Sequence, residues 1–201
     1  GLRVIPGLCI GSIHEVRSVL LVSRRPLADV RRIALDENSR TSAALVRILA
    51  ADAWSLDAEF VQSRADVDQM LKSADAALII GDPALQVDHD RYLVLDLAAE
   101  WRKLTGHPFV FALWALRSGV HLGAIGKCFA ASLDAGLDDL ERIVARAREV
   151  SGLEEEVLRR YFTRNLHYRL ESDQRAGLEE YFRRAALHGL IEGKRPLRFV
   201  D

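Results

Sequence analysis

The first half of the chain alternates short apolar runs with polar turns and amphipathic segments, a pattern that predicts strands followed by helices. Strands are predicted over residues 16–23, 33–35, 56–62, 76–80, 92–97 and 109–114, and helices over residues 43–49 and 65–73. After Gly119 the pattern becomes helical, with helices predicted over residues 123–133, 137–150, 154–163 and 174–187. This order predicts an α/β fold, with a sheet flanked by helices and a helical C-terminal part.

The turn between the second predicted strand and its helix is rich in small polar side chains. Asn38, Ser39, Thr41 and Ser42 are all of the types that cap helices, and Arg40 carries a fork of donors that suits a planar carboxylate. The first N–H groups of a helix lack partners within it and carry partial positive charge, so a carboxylate or phosphate can bind there. Simple capping and a small-anion site are both supported by these residues.

A second candidate turn follows the apolar run of residues 76–80, which ends in Gly81-Asp82-Pro83. Ligands of open α/β sheets bind outside the carboxyl ends of the strands. Gly81 lets the backbone approach a ligand closely, and Asp82 is predicted to cap the next helix with Pro83 at its first position. An ordinary strand-to-helix turn explains these residues equally well.

Two further side chains are candidates for chemistry. Ser18 lies where the strand of residues 16–23 begins, a position suited to a reactive hydroxyl, although a serine bonded to neighbouring backbone is the commoner case. His107 precedes Pro108 in a turn and is a candidate general base, but an isolated turn histidine is more often a surface residue.

Composition and charge exclude several classes of partner. The chain has 201 residues, of which 49% are hydrophobic and 28% charged, as in soluble globular proteins. Its 28 basic and 29 acidic residues give a formal net charge of −1, so neither nucleic acid nor an anionic membrane is expected as a partner. Cys9 and Cys128 lie far apart and outside any Cys/His grouping, which predicts neither a disulfide framework nor a metal site and fits a reducing compartment.

The chain also lacks several familiar signatures. P-loop, dinucleotide-binding, zinc-protease and α/β-hydrolase motifs are absent from the sequence. No apolar run reaches the roughly 18 residues of a membrane span, and the N-terminus lacks the charged-then-apolar order of a secretion signal. A cytoplasmic location is therefore predicted.

Five segments occur in this order along the chain: VRSVLLVS, IALDENSRTSAALVRIL, ADAALIIGDPAL, VLDLAAEWRKLTGHPFVFALWA and YFTRNLHYRL. Their most specific parts are S-R-T-S after a strand, I-G-D-x-A-L and E-W-x-x-x-T-G-x-P-F-V-F-A-x-W. Over residues 6–182 this combination resembles the chorismate dehydratases of the futalosine route to menaquinone. The resemblance implies a two-lobed fold like that of type II periplasmic solute-binding proteins, in a cytoplasmic enzyme.

The resemblance also implies roles for individual residues. Ser18 matches a serine that the family places in its active site. The family's substrate-binding turns match Ser39, Arg40, Thr41, Ser42, Gly81 and Asp82. The implied partner is the small dianion chorismate, which loses water to give 3-[(1-carboxyvinyl)oxy]benzoate without a metal or other cofactor.

The implied lobes are residues 1–22 with 110–201 (lobe 1) and residues 23–109 (lobe 2), joined by crossing strands near residues 18–23 and 109–114. Family members begin with a strand and helix carrying a Y-L-N-like motif, whose asparagine is implicated in the reaction. This sequence begins after that motif, so lobe 1 is expected to be incomplete. The expected consequences are an exposed sheet edge, poor solubility or a partner over that edge, and no dehydratase activity from these residues alone.

Alternatives to chorismate dehydration stay open. One is a cytoplasmic small-anion binding domain of the solute-binding type, which holds its ligand without turnover. The sibling enzyme acting on cyclic dehypoxanthine futalosine shares the fold and a T-S turn, but its histidine base has no match here, since His107 lies in a different context. The sequence also leaves open whether the protein forms a homo-oligomer.

Overall fold

The structure is a computed structural model that describes residues 2–37, 39–64, 66–117, 119, 123–193 and 196–200. Its strands are β1 (Leu2–Val4), β2 (Gly7–Ser12), β3 (Val19–Ser23), β4 (Arg32–Asp36), β5 (Glu59–Ser63), β6 (Ala76–Ile80), β7 (Leu93–Asp96), β8 (Phe109–Ala112), β9 (Ala115–Arg117) and β10 (His167–Leu170). Its helices are α1 (Thr41–Asp52), α2 (Val67–Ser73), α3 (Asp82–Leu85), α4 (Leu97–Thr105), α5 (Gly123–Asp138), α6 (Leu140–Ser151), α7 (Glu155–Arg160) and α8 (Ser172–Leu187). A 3-10 turn spans Leu27–Asp29, and a π-helical turn spans Tyr161–Asn165.

The largest sheet has five strands in the order β5-β4-β6-β3-β7. Strand β4 runs parallel to β5 and β6, whereas β3 is antiparallel to both of its neighbours. Parallel strands need a crossover connection, which α1 and α2 supply along the chain from β4 through β5 to β6. The central strands read as nearly continuous apolar runs because helices cover both faces of the sheet.

Successive residues of β3 point to opposite faces of this sheet, as the period of a strand requires. Leu21 joins the larger core, while Leu20 packs with Met70 of α2 on the other face. The larger core also contains the completely buried Trp101 of α4, whose ring meets Phe109 of β8 edge to face at 5.5 Å between centroids. Because Phe109 belongs to a different sheet, this core runs from one sheet to the other.

The second sheet is antiparallel, with the order β10-β2-β8, and β1 pairs with β9 in a separate two-stranded ribbon. Helix α8 packs against β8 and α1, so it lies between the two larger sheets. Tyr181 of α8 completes the aromatic cluster around Phe109, with ring centroids 5.2 Å apart. The described helices include none that is long and apolar enough to cross a bilayer.

The predicted α/β class is confirmed, and most predicted elements are found. The runs of residues 33–35, 43–49 and 76–80 lie within β4, α1 and β6. Strand β3 begins at Val19 rather than at residue 16, because the N–H groups of Val16 and Arg17 donate to the side chain of Asp96 instead of to a neighbouring strand.

Other predicted boundaries were also wrong. The strand predicted over residues 109–114 ends at Ala112 as β8, residues 113 and 114 belong to no strand, and β9 begins at Ala115. The predicted helix over residues 154–163 is α7, which ends at Arg160 and widens into the π-helical turn. The strand predicted over residues 92–97 ends at Asp96, because the Asp96 side chain caps α4 by accepting the N–H groups of Ala98 and Ala99.

The sheets bear on the division into lobes. Residues 19–22, which the sequence assigns to lobe 1, pair with β6 and β7 inside the five-stranded sheet. Strand β3 is therefore part of that sheet rather than a strand crossing between the two. The division of the chain into two lobes at residues 22 and 110 stays a prediction.

Candidate functional site

A cavity of about 270 Å³ opens between the two larger sheets, at the start of α1, and is called the α1 cavity below. Its volume lies just below the roughly 300–1,000 Å³ of most small-molecule sites. Its lining consists of Ile10, Val16, Ser18, Val19, Ser39, Arg40, Thr41, Ser42, Ile80, Gly81, Phe111, Tyr161 and Leu166. The structure thus brings together six of the seven residues that the sequence proposed for the site, from three separate turns.

The first of these turns leads into α1. Arg40 holds the cap position with helical dihedrals, φ −86° and ψ −50°, and no side-chain hydrogen bond caps the helix. Ser39 and Ser42 are buried, yet within the part of the chain that the structure describes neither they nor Thr41 form a side-chain hydrogen bond. Capping therefore does not explain these hydroxyls. Asn38, the fourth capping-type residue, lies outside the described residues.

The start of α1 and Arg40 together offer donors to an anion. The first hydrogen bond of the helix is donated by the N–H of Ala44 to the carbonyl of Arg40 at 3.1 Å. The N–H groups of Thr41 and Ser42 come before it and therefore have no partner within the helix. Among the described residues, the exposed guanidinium of Arg40 has no carboxylate partner. An acid bound in the α1 cavity would meet both the helix N-terminus and this cation.

The second turn carries Ser18 and is held from β7. Oδ2 of Asp96 accepts the N–H groups of Val16 and Arg17 at 2.9 and 2.6 Å, while its Oδ1 serves the first turn of α4. Burial raises the pKa of the Asp96 carboxyl, and the hydrogen bonds from backbone N–H groups act in the opposite direction. Arg17 adopts a φ of 64°, so the chain bends sharply and presents Ser18 to the cavity.

The third turn contains Gly81, whose N–H donates to the carbonyl of Ser18 at 2.8 Å. Its φ of 71° and ψ of −148° belong to a region that essentially only glycine occupies. This conformation gives Gly81 the cap position of α3, so the prediction that Asp82 caps that helix is wrong, and Asp82 is its first residue. Asp82 does not line the α1 cavity but a neighbouring cavity of about 380 Å³.

Among the lining residues that the sequence did not propose for the site, two are aromatic. Tyr161 stands in the π-helical turn and donates a hydrogen bond from Oη to Oγ of Ser18 at 2.9 Å. Burial raises the pKa of Tyr161, while the hydrogen bond with Ser18 acts against it. Phe111 of β8 adds an aromatic wall. The segment YFTRNLHYRL carried the family resemblance, but no local pattern singles out Tyr161, which lies 143 positions from Ser18.

The α1 cavity has two chemically different sides. Hydroxyls, backbone N–H groups and Arg40 form a polar side, and the apolar side consists of Ile10, Val16, Val19, Ile80, Phe111 and Leu166. Such a site can hold a small ring acid, with its carboxylate on the donors and its carbon skeleton on the apolar wall. His107 does not line this cavity. The described residues contain no group of three or more His, Cys, Asp or Glu side chains placed to hold a metal ion.

Comparison with known proteins gives a consistent picture. A family model described as menaquinone biosynthesis matches residues 1–187. The chorismate dehydratase of Thermus thermophilus is 27% identical over 198 residues, which cover 90% of this chain and 72% of that protein.

Solved structures match over nearly the whole chain. Protein AF1704 from Archaeoglobus fulgidus superposes with a TM-score of 0.70 at 19% identity, covering 94% of this chain and 74% of that one. The periplasmic aliphatic sulphonate binding protein SsuA from Escherichia coli gives a TM-score of 0.60 at 13% identity, covering 96% of this chain and 70% of SsuA. The fold is therefore the two-lobed α/β fold of periplasmic binding proteins, as the sequence predicts.

Proposed function

The chain belongs to the menaquinone biosynthesis family, and from that premise we propose that it is a chorismate dehydratase of the futalosine route. The proposed reaction removes water from chorismate to give 3-[(1-carboxyvinyl)oxy]benzoate, in the cytoplasm. The name of the relative from Thermus thermophilus supports this assignment. Chorismate is a small dianion, which agrees with the chemistry of the site.

One observation carries the proposal: the α1 cavity joins donors for an anion to an apolar wall. Its polar side has Arg40 and the first turn of α1, and its apolar side includes Phe111. A substrate with one carboxylate on an unsaturated ring and a second on a vinyl ether side chain needs both sides, because charged hydrogen bonds fix its ends while apolar contacts hold its ring.

The roles follow from where charge develops in the reaction. One C–H bond and one C–O bond break, water leaves, and the ring becomes aromatic. The departing hydroxide carries negative charge that preorganised donors stabilise. We assign Ser18 to this task, because its hydroxyl lines the cavity and its turn is held by Asp96.

The remaining residues bind rather than react. Arg40, Ser39, Thr41 and Ser42 hold a carboxylate at the start of α1, and Gly81 shapes the opposite turn. Because Asp82 lies in the neighbouring cavity, the proposal gives it no direct contact with substrate. In this proposal the two lobes close over the ligand and exclude water. Strand β3 is counted with the lobe that contains the five-stranded sheet, because it pairs with β6 and β7.

The test is an ultraviolet assay of chorismate with the full-length protein, in which an aromatic product appears and is identified by mass. Ser18→Ala is expected to lower kcat about 100-fold through loss of a transition-state donor. Arg40→Ala is expected to weaken chorismate binding at least about tenfold, because a charged hydrogen bond is lost.

Matched controls distinguish the site from the fold. Ser23→Ala removes a buried hydroxyl at the other end of β3, where Oγ lies 2.8 Å from the carbonyl oxygen of Arg25 and 3.0 Å from that of Asp75, and is expected to keep activity. Arg64→Ala removes an arginine whose side chain is 94% exposed and is expected to change nothing. Chorismate that binds in an Arg40-dependent way and stays unchanged would overturn the enzyme and favour a binding domain.

A further inference from the structure

The turn that carries Tyr161 is fixed from several directions. Its ring emerges where α7 ends in the π-helical turn, a geometry often found at functional sites. The N–H of Leu166 donates to the Tyr161 carbonyl at 3.0 Å, and Oη of Tyr168 donates to the carbonyl of Phe162 at 3.0 Å. These two hydrogen bonds hold the backbone of the turn from which the Tyr161 side chain projects.

The same turn is tied to the segment that precedes Ser18. The buried Asn165 donates from Nδ2 to the Glu15 carbonyl at 3.2 Å and to its carboxylate at 3.3 Å. Arg160 forms an ion pair with Glu15 at 3.1 Å. Ser18 lies three residues after Glu15. Tyr161 and Ser18 therefore stand on two segments that are bonded to each other, and their 2.9 Å hydrogen bond adds to these contacts.

The direction of that hydrogen bond follows from the acidity of its partners. A phenol is a far stronger acid than an aliphatic alcohol, so Tyr161 donates and Ser18 accepts. Burial, the largest influence, raises the pKa of Tyr161, which keeps its proton at neutral pH. Ser18 then retains its single hydroxyl proton, and Oγ has no second partner among the described residues. The free space beside Ser18 is the α1 cavity.

We propose that Tyr161 is a positioning residue that orients the Ser18 hydroxyl so that it donates a hydrogen bond into the α1 cavity, toward the anionic or departing oxygen of the ligand. The proposal rests on the proposed function, because it takes the ligand to be chorismate. Two hydroxyls in series polarise one another, so the Ser18 donor is stronger than an isolated serine. Without the phenol, the Ser18 hydroxyl rotates freely between donor and acceptor roles.

A double-mutant cycle tests this arrangement, with Tyr161→Phe, Ser18→Ala and the combined variant. Tyr161→Phe keeps the ring and removes only the hydroxyl. If Tyr161 acts through Ser18, Tyr161→Phe weakens chorismate binding and lowers kcat about tenfold in the wild-type background. In the Ser18→Ala background the same change is expected to alter both by less than about twofold.

The control is Tyr168→Phe, which removes a partly buried hydrogen bond that a second tyrosine hydroxyl donates to the same turn. Tyr168 lies outside the α1 cavity, and burial raises its pKa to about 12. Tyr168→Phe and Tyr161→Phe are expected to lower Tm by similar amounts, while only Tyr161→Phe couples to Ser18. This separates a role in orientation from a role in stability.

The outcomes distinguish the two proposals. Equal losses from Tyr161→Phe in both backgrounds, with chorismate still consumed by the parent, would overturn the positioning role alone. Chorismate bound but not consumed by the parent would overturn the proposed dehydratase activity. The double-mutant cycle, measured on the Kd for chorismate, would still decide whether Tyr161 acts through Ser18. Failure of chorismate to bind the parent at all would overturn both.

Discussion

The carboxylate of Asp96 accepts the N–H of Arg17 at 2.6 Å and holds that residue at a φ of 64°, immediately before Ser18. The left-handed region is unfavourable for a residue with a side chain, so the bend persists only because the carboxylate compensates for it. A side chain at the end of β7 thereby determines where the hydroxyl of Ser18 lies.

Asp96→Asn is expected to destabilise the protein by about 3 kcal/mol, because one amide oxygen cannot serve the four N–H groups that the carboxylate serves. Urea unfolding measures the loss, and weaker chorismate binding should accompany it. Asp88→Asn is the control, since Asp88 accepts a single N–H in an exposed turn. Equal losses in the two variants would contradict the role given to Asp96.

Gly81→Ala is expected to cost about 3 kcal/mol through backbone strain alone, because an added Cβ meets no atom within 4 Å. Gly106→Ala is its match: Gly106 is equally open, but its φ of 75° and ψ of −5° are left-handed helical, where alanine costs about 1 kcal/mol. Thermal unfolding compares the two. Only Gly81→Ala should also weaken ligand binding, because the Gly81 N–H holds the carbonyl of Ser18. Indistinguishable Tm values would contradict the strain argument.

Gly177→Ala is expected to force α8 away from the turn before β8. A Cβ at Gly177 would lie 2.1 Å from the carbonyl oxygen of Pro108, which also accepts the indole N–H of Trp101. Overpacking of this kind costs about 2–3 kcal/mol, measurable by urea unfolding. Gly136→Ala, in α5 with its nearest atom at 3.7 Å, should instead gain about 0.5–1 kcal/mol from helix propensity. A neutral Gly177→Ala would show that α8 shifts without strain.

Glu180 should make stability depend on pH in the acid range. Hydrogen bonds from Arg183 and then Arg184 lower its pKa from the ordinary 4.5 to about 2. A carboxyl whose pKa is lower in the folded state stabilises the fold fully above pH 4.5, and this contribution is lost as the pH falls through about 2.

The measurement is urea unfolding of the wild type and Glu180→Gln over a series of pH values. The difference between their free energies of unfolding should be constant from neutral pH down to the ordinary pKa of a glutamate and should shrink below it. Glu149→Gln, on the exposed face of α6, is the control and should track the wild type. A difference that stays constant to pH 2 would rule out Glu180 as the titrating group.

The chain's local patterns were enough to predict most elements, because apolar periodicity depends only on neighbouring residues. Strands β4 and β6 and helix α1 follow from such runs. The start of β3 could not be found this way, since neither the apolar Val16 nor the charged Arg17 carries a local signal that excludes it from the strand. Their N–H groups leave the strand for Asp96, which lies 80 and 79 positions further along the chain.

By itself, the sequence determined the α/β order of elements and the polar turn at Arg40 with its clustered hydroxyls, because both depend only on residues that are neighbours in the chain. Only the tertiary structure decided that Tyr161 meets Ser18 and that Asp82 falls outside the cavity. The physical reason is that contacts between distant segments depend on how two sheets pack around Trp101 and Phe109, and on single backbone angles such as that of Gly81. No local periodicity encodes either.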